Sequence, residues 1–301
     1  MRELSGCPVC DAPTSGATSC FTADRTYEGK RYPSRIVRCR CGHCFLNPSP
    51  DDEELLSFYD DDYHCFTTSP NEAERIGHWI EQRRRGDRFN HVRIVVGGRF
   101  LDVGCGSGDM VAAMAHLGME SEGVEPSRYA ATKAKEAGLM VTCSLLHDAA
   151  FPDASFDAVS MFHVLEHTTD PIEVLRECRR ILKPGGELVI GVPNFDSLVF
   201  ALVGKGWVGL QLPSHVQHFS PNSLRAAAVR AGLTVGLIET ESFPEHVEGE
   251  LTNWLRRRFL VPGRLTKRTG VLRGISARLA RKGETTHRGE SVVAHLFAPS
   301  A

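Results

Sequence analysis

The run Arg99-Phe100-Leu101-Asp102-Val103-Gly104-Cys105-Gly106-Ser107-Gly108-Asp109 reads as a strand entering a glycine-rich turn, and Met110 to Leu117 continues it as an apolar helical stretch. Gly104, Gly106 and Gly108 remove side chains where a backbone must approach a ligand closely, and Asp102 sets a carboxylate beside the turn. One such loop is weak evidence, but the next unit narrows it. Ser121-Glu122-Gly123-Val124 is a second strand, ending in Glu125 about twenty residues after the loop, where a carboxylate can hold two ribose hydroxyls. The spacing is Gly-x-Gly-x-Gly and not the Gly-x-Gly-x-x-Gly that cradles a pyrophosphate, so a nucleoside ligand is favoured over a dinucleotide. The expected core is a doubly wound α/β domain.

Leu101-Asp102-Val103-Gly104-Cys105-Gly106-Ser107-Gly108 and Gly123-Val124-Glu125-Pro126-Ser127 resemble the first two motifs of class I S-adenosylmethionine-dependent methyltransferases. Phe151 to Val159 resembles the run into that family's fourth strand, and Phe162-His163-Val164-Leu165-Glu166-His167 the segment after it. Arg179 to Leu188 resembles its helix, proline-glycine turn and fifth strand, continuing to Val192-Pro193-Asn194. The resemblance spans about residues 95 to 240 and implies a Rossmann-like sheet of seven strands; the order of five motifs makes it specific. It further implies that Gly104, Cys105, Gly106 and Gly108 pack against the methionine part of S-adenosylmethionine, with Asp102 near its amino group and Glu125 on its ribose. Leu145 and Leu146 are expected to form an adenine shelf, with Phe162 on the cofactor side.

Methyl transfer from a sulfonium is an in-line displacement, so alignment of the nucleophile contributes most, and a base helps if the nucleophile is a hydroxyl. Three histidines are candidates. His163 falls at the carboxyl end of the fourth strand, where open α/β sheets place ligands, and His215 and His218 lie in Leu212-Pro213-Ser214-His215-Val216-Gln217-His218-Phe219-Ser220. Glu166 and His167 are expected to organise their loop.

Cysteines set the second theme. Cys7-Pro8-Val9-Cys10 and, about thirty residues on, Cys39-Arg40-Cys41-Gly42-His43-Cys44 offer two thiolate pairs to one tetrahedral zinc ion. Cys41 and Cys44 have the usual two-residue gap, so Cys7, Cys10, Cys41 and Cys44 are the expected ligands, Cys39 is held in reserve, and His43 reads as a solvated turn residue. Ile36 to Pro48 resembles the zinc-ribbon leader of one bacterial subgroup of these methyltransferases, departing from it in the single residue between Cys39 and Cys41.

The expected organisation is therefore a cysteine-rich module over 1–50, a helical linker or lid over 51–95, and a catalytic domain over 96–301 with helical insertions near 195–219 and 244–289. In the linker, Leu55, Leu56, Phe58 and Tyr59 form an apolar side, Ile76, Trp79 and Ile80 recur at helical spacing, and Tyr59 and Tyr63 stand where related enzymes fold a segment over the cofactor. The stretch from Arg256 to Arg288 interleaves Arg and Lys with Leu, Val and Ile, as amphipathic helices do.

The 301 residues are 42% hydrophobic and 24% charged, with a formal net charge of -2, enough to bury a core but without a global field for nucleic acid or an anionic membrane. No apolar run reaches membrane-spanning length, the first residues lack a signal peptide's apolar stretch, and a cytoplasmic protein is expected. The partner implied is a small-molecule methyl acceptor, most simply a hydroxyl on a secondary metabolite, sugar or quinone-like ring. The alternatives are zinc-ribbon-guided methylation of an RNA base and a non-catalytic, cofactor-binding assembly protein. The oligomeric state is not legible.

Overall fold

The computed structural model describes residues 1–27, 30–58, 90–259 and 270–300. The expected helix over 71–91 falls almost wholly outside them, as do Tyr59 and Tyr63.

Strand β4 (Arg99–Val103), helix α2 (Asp109–His116), β5 (Glu120–Val124), α3 (Arg128–Glu136) and β6 (Val141–Thr142) form one half of the α/β domain. The other half runs through β7 (Phe156–Phe162), α4 (Pro171–Ile181), β8 (Leu182–Pro193), α6 (Pro221–Arg230), β10 (Thr234–Glu241) and β11 (Ser291–Phe297). The seven strands are ordered β10-β11-β8-β7-β4-β5-β6. Pairs β4·β5, β4·β7, β5·β6 and β7·β8 are parallel, whereas β11 runs antiparallel to both β8 and β10. Strand order reverses between β4 and β7, so the crevice at their carboxyl ends is where such a sheet binds ligands.

Period-two alternation explains why both sheet faces are covered. Leu101, Val103, Val159 and Met161 enter one core with Leu175 and Cys178 of α4 and Leu224 and Ala227 of α6. Phe100, Ala158 and Phe162 enter another, with Met110, Ala113 and Met114 of α2. The helix starts are written locally. Asp170 accepts from Glu173 N ahead of Pro171, and Ser220 makes a reciprocal cap with Ser223 ahead of Pro221.

The N-terminal module is not set apart. Strands β1 (Thr18–Tyr27), β2 (Lys30–Arg38) and β3 (Cys44–Leu46) continue into a short β9 (Gln217–His218), giving a second sheet of order β1-β2-β3-β9. Cys44 pairs with His218 and Phe45 with Gln217. The sequence places residues 1–50 and the insertion at 195–219 in separate units; the structure joins them by strand pairing and by a shared core. That core gathers Ile36 and Leu46, Leu55 of α1 (Asp52–Leu56), Val199 of α5 (Leu198–Val203), Trp207, Leu210, Val247 of α7 (Pro244–Phe259) and Ala280 of α8 (Gly270–Thr285). Three stretches distant in sequence thus build one cap beside the crevice. Arg256, Arg257 and Arg258 fall in the last turn of α7, where a helix's negative dipole end favours cations.

Candidate active site and cysteine cluster

A cavity of about 1330 Å³ opens at the carboxyl ends of β4, β5 and β7. Single small ligands occupy roughly 300–1,000 Å³, so this volume admits two neighbouring molecules.

One half is built by the glycine turn. Gly104, Cys105, Gly106 and Ser107 line the cavity, and Gly104 (φ 67°) and Gly106 (φ 54°) adopt left-handed backbone. A Cβ on Gly104 would fall 2.3 Å from Val164 Cγ2, so this position tolerates no side chain. Gly106 N donates to Glu125 Oε2 at 2.9 Å and Ser127 N to Oε1 at 2.8 Å, fixing the carboxylate at the end of β5. Burial pushes the Glu125 carboxyl up, while the two backbone donors pull it down. Each oxygen keeps a second lone-pair direction, so the carboxylate can accept from both hydroxyls of a ribose diol. Leu145, Leu146 and Phe162 complete this half's apolar walls. An adenosine-bearing ligand therefore fits: carboxylate for the ribose, apolar walls for the base, bare backbone for the amino-acid tail.

Two expected cofactor residues stand back from the cavity. Asp102 is buried on β4 and accepts from Ser160 Oγ, and it is not among the cavity's described lining residues. Gly108 (φ 89°) caps α2, and a Cβ there would meet Leu139 Cδ1 at 2.4 Å, so its absence of side chain serves helix packing. Cys105 lines the cavity as a buried thiol whose pKa is raised by that burial and by the Asp102 and Glu125 charges, which keeps it protonated and unreactive.

Histidines mark the other half. His163 sits at the end of β7 with φ 57°, its Nδ1 3.3 Å from Glu166 Oε1, and its ring half exposed to the cavity. His215 is buried and lines the cavity with His167; their rings meet edge to face at 4.4 Å. Burial pushes both imidazoles down to about 3, so they are neutral at physiological pH. His218 behaves otherwise. It is buried on β9 against Phe195 at 5.1 Å, outside the cavity's described lining, and burial drives its pKa well below the usual histidine range. Alternation accounts for this: His215 and His218 are three residues apart, and an odd separation in extended chain sends side chains to opposite faces.

Residues that sequence reading missed line the same half: Asp52 and Leu55 of α1, Glu250 and Asn253 of α7, and Glu290 before β11. Glu250 Oε1 accepts from Val208 N at 2.9 Å, and burial raises its pKa. Burial, then the Glu250 charge, pushes Glu290 up to about 8. No motif announces them; only the folding of α7 and β11 beside the crevice brings them in.

The cysteine cluster corrects the expected set. One Sγ from each of Cys7, Cys10, Cys39 and Cys41 lies within 4.8 Å of the others, with Cys7–Cys41 at 3.8 Å and Cys10–Cys39 at 3.5 Å. Cys44 instead lies 4.0 Å from Cys20. Cys39 shares the core of Cys7, Val9, Val37 and Phe45, whereas Cys44 shares that of Ile36 and Leu46, so the hairpin's alternation sends Cys39 and Cys44 to opposite faces. His43 is also corrected: it is fully buried, its ring tilted against Phe219 with centroids 4.9 Å apart, with Nε2 2.9 Å from Gln217 Oε1. Gln217 Nε2 donates to Thr168 O at 2.9 Å, which fixes the amide and makes His43 Nε2 the donor. Burial pushes His43 down to about 4.

A family described as "Methyltransferase domain" matches residues 74–237, more than half of the chain. The chain is 34% identical over 188 residues to the ubiquinone biosynthesis O-methyltransferase of Xanthomonas axonopodis pv. citri (strain 306), covering 58% of this chain and 73% of that protein. It is 33% identical over 186 residues to the protein of that name from Xanthomonas oryzae pv. oryzae (strain PXO99A), covering 59% and 74%. Its fold is similar to geranyl diphosphate C-methyltransferase from Streptomyces coelicolor A3(2), with TM-score 0.53 and 16% identity over 83% of this chain and 98% of the other. The glycine turn, the held Glu125 and the matched domain together place this chain in the family of class I S-adenosylmethionine-dependent methyltransferases.

Proposed function

We propose that this enzyme methylates a hydroxyl of a small, largely apolar acceptor, of the quinone-like ring or secondary-metabolite kind. The observation that carries the reading is His163. Its Nδ1 is held by Glu166, which leaves Nε2 as the nitrogen to take a proton from an acceptor in the cavity half next to the glycine turn. S-adenosylmethionine, when bound, supplies an electrophilic methyl group whose bond to sulfur breaks as the acceptor oxygen bonds to carbon. The chain's own contribution is to align and to desolvate. Glu125 and the turn from Gly104 to Ser107 fix one partner, while Leu56, Val164 and Trp207 present apolar walls to the other. The printed names of the Xanthomonas relatives, O-methyltransferases of ubiquinone biosynthesis, support an oxygen acceptor on a ring.

The test is a screen of ring hydroxyl acceptors, read by a methyl gain in product mass, with His163→Gln alongside. The reading expects His163→Gln to lose about 10²–10⁴ in kcat while S-adenosylhomocysteine binding stays within a factor of about two. Unchanged kcat in the variant, or methylation only of amines or RNA, overturns it.

We also propose that Cys7, Cys10, Cys39 and Cys41 hold a structural zinc ion. Their Sγ separations of 3.8 and 3.5 Å agree with the ~3.8 Å between ligands of a tetrahedral site with Zn–S bonds of ~2.3 Å.

A further inference from the structure

The acceptor half of the cavity carries two acidic side chains that the methyl-transfer chemistry leaves unused. Glu250 of α7 is 7% exposed and Glu290 stands just before β11; both line the cavity. Each is held in place by the fold. Glu250 Oε1 accepts from Val208 N at 2.9 Å, which ties this carboxylate to the segment that carries Trp207. Glu290 is clamped through its backbone: its N donates to Ser242 Oγ at 3.1 Å, and its O accepts from Asn194 N at 2.8 Å. The second oxygen of each side chain is left over. Glu250 Oε2 and Glu290 Oε2 are buried and have no hydrogen-bond partner among the described residues.

The two carboxyls also act on one another. After burial, the Glu250 charge is what pushes Glu290 up to about 8. Arg257 of α7 acts on Glu250 in the opposite sense, yet among the described residues it forms no ion pair with either carboxylate. Carboxylate oxygens taken out of water without a donor are costly, and each such group in a folded protein calls for an explanation. Two of them in the wall of one ligand cavity have theirs in the ligand, which brings the missing donors with it. A neutral hydroxyl would satisfy one oxygen and leave the charge of the pair uncompensated. An ammonium group brings a positive charge and two or three N–H donors, and its hydrogen bonds to carboxylates are the strong, charge-assisted kind. Trp207, in the same wall, adds an aromatic surface, which suits a cation as well as a ring.

We infer that Glu250 and Glu290 form a recognition site for a protonated amine carried by the same acceptor whose hydroxyl takes the methyl group. The inference rests on the O-methylation reading and narrows its substrate class to hydroxylated rings that bear a basic side arm. His163 and the glycine turn address the oxygen, while the glutamate pair selects the charged arm and sets which rings are held long enough to react.

The experiment uses the full, zinc-quantified chain saturated with S-adenosylhomocysteine. Tyramine and 4-ethylphenol share a ring hydroxyl and a two-carbon arm and differ only in the amine, which is protonated at neutral pH as a lysine amine is. Calorimetry should show tyramine bound at least about tenfold more tightly than 4-ethylphenol. Glu250→Gln, which keeps the side-chain volume and removes the charge, should erase that preference, and Glu290→Gln should reduce it. Affinity for 4-ethylphenol should stay within a factor of about two in both variants, a split that a merely structural role would not produce. Retained S-adenosylhomocysteine binding shows that the variants are folded. Equal binding of the two phenols by the wild type overturns the site, as does a tyramine preference unchanged in both variants, or failure of both probes to bind a chain that binds S-adenosylhomocysteine. With S-adenosylmethionine supplied instead, the two readings fail separately. Equal methylation of both phenols on oxygen keeps the O-methylation reading and overturns the amine site. Glutamate-dependent tyramine binding with no methyl gained on oxygen leaves the amine site standing and removes the O-methylation reading.

Discussion

His43 Nε2 donates to Gln217 Oε1 at 2.9 Å across 174 residues of chain, and the bond is buried. It fastens the cysteine module to the segment that follows the acceptor cavity, since Val216 N, next in the chain, donates to Glu166 O at 2.9 Å. Module, cavity wall and the loop after β7 are therefore joined by buried hydrogen bonds. Gln217→Ala leaves the His43 N–H and Thr168 O without their partner, and a lost partner costs about 1–3 kcal/mol for each group left buried and unpaired. Urea denaturation should show the midpoint falling with the slope unchanged; a midpoint equal to the wild type would mean that the module's docking does not depend on this pair.

Metal quantification separates the cysteines. Cys39→Ser should lose the zinc ion, and Cys44→Ser should keep it with no change in stoichiometry, because Cys44 lies on the opposite face of its hairpin. Zinc lost from both variants equally would return Cys44 to the ligand set.

Cys44 also shows where sequence reading stopped. Two-residue gaps favour Cys41 with Cys44, and nothing in the letters says that Cys44 opens a strand paired to Arg38 while Cys39 and Cys41 belong to the turn. The glycine turn was legible because Gly104 and Gly106 are backbone requirements that show directly as residue types. The antiparallel closing strand was legible too: Ser291–Phe297 is bounded as its apolar run suggests. The meeting of Glu166 and His167 with His215 was not, since it depends on how the segment 204–216 folds over the loop after β7. The same holds for Glu250 and Glu290, which reach the cavity only because α7 and α8 are inserted ahead of β11.

Gly104→Ala is expected to fail at two levels. Its φ of 67° is unfavourable for alanine, and the added methyl would press on Val164 at 2.3 Å, next to His163. Stability should fall by about 1–3 kcal/mol and S-adenosylhomocysteine affinity by at least about tenfold. Thermal melts with and without ligand report both; an alanine variant that binds normally would show that the turn's backbone is not part of the cofactor contact.

Glu290 gives stability a pH dependence of known sign. Burial raises its carboxyl from 4.5 to about 8, so between these values the folded protein holds a proton that the unfolded chain has released. Its contribution is fully present below 4.5 and is lost as pH rises through about 8. Glu290→Gln, which cannot ionise, should remove this loss. Melts at about pH 5 and about pH 9 should show the variant gaining on the wild type at the higher pH. A constant difference between the two proteins would contradict the burial of this carboxyl.

The most direct measurement is calorimetric titration of the zinc-quantified chain with S-adenosylhomocysteine, wild type against Glu125→Ala. The held carboxylate at the end of β5 is the centre of the account, and micromolar one-site binding is expected, weakened at least about tenfold, or 1.4 kcal/mol, in the variant. Absence of binding by the folded wild-type chain, or equal affinity in Glu125→Ala, would contradict it.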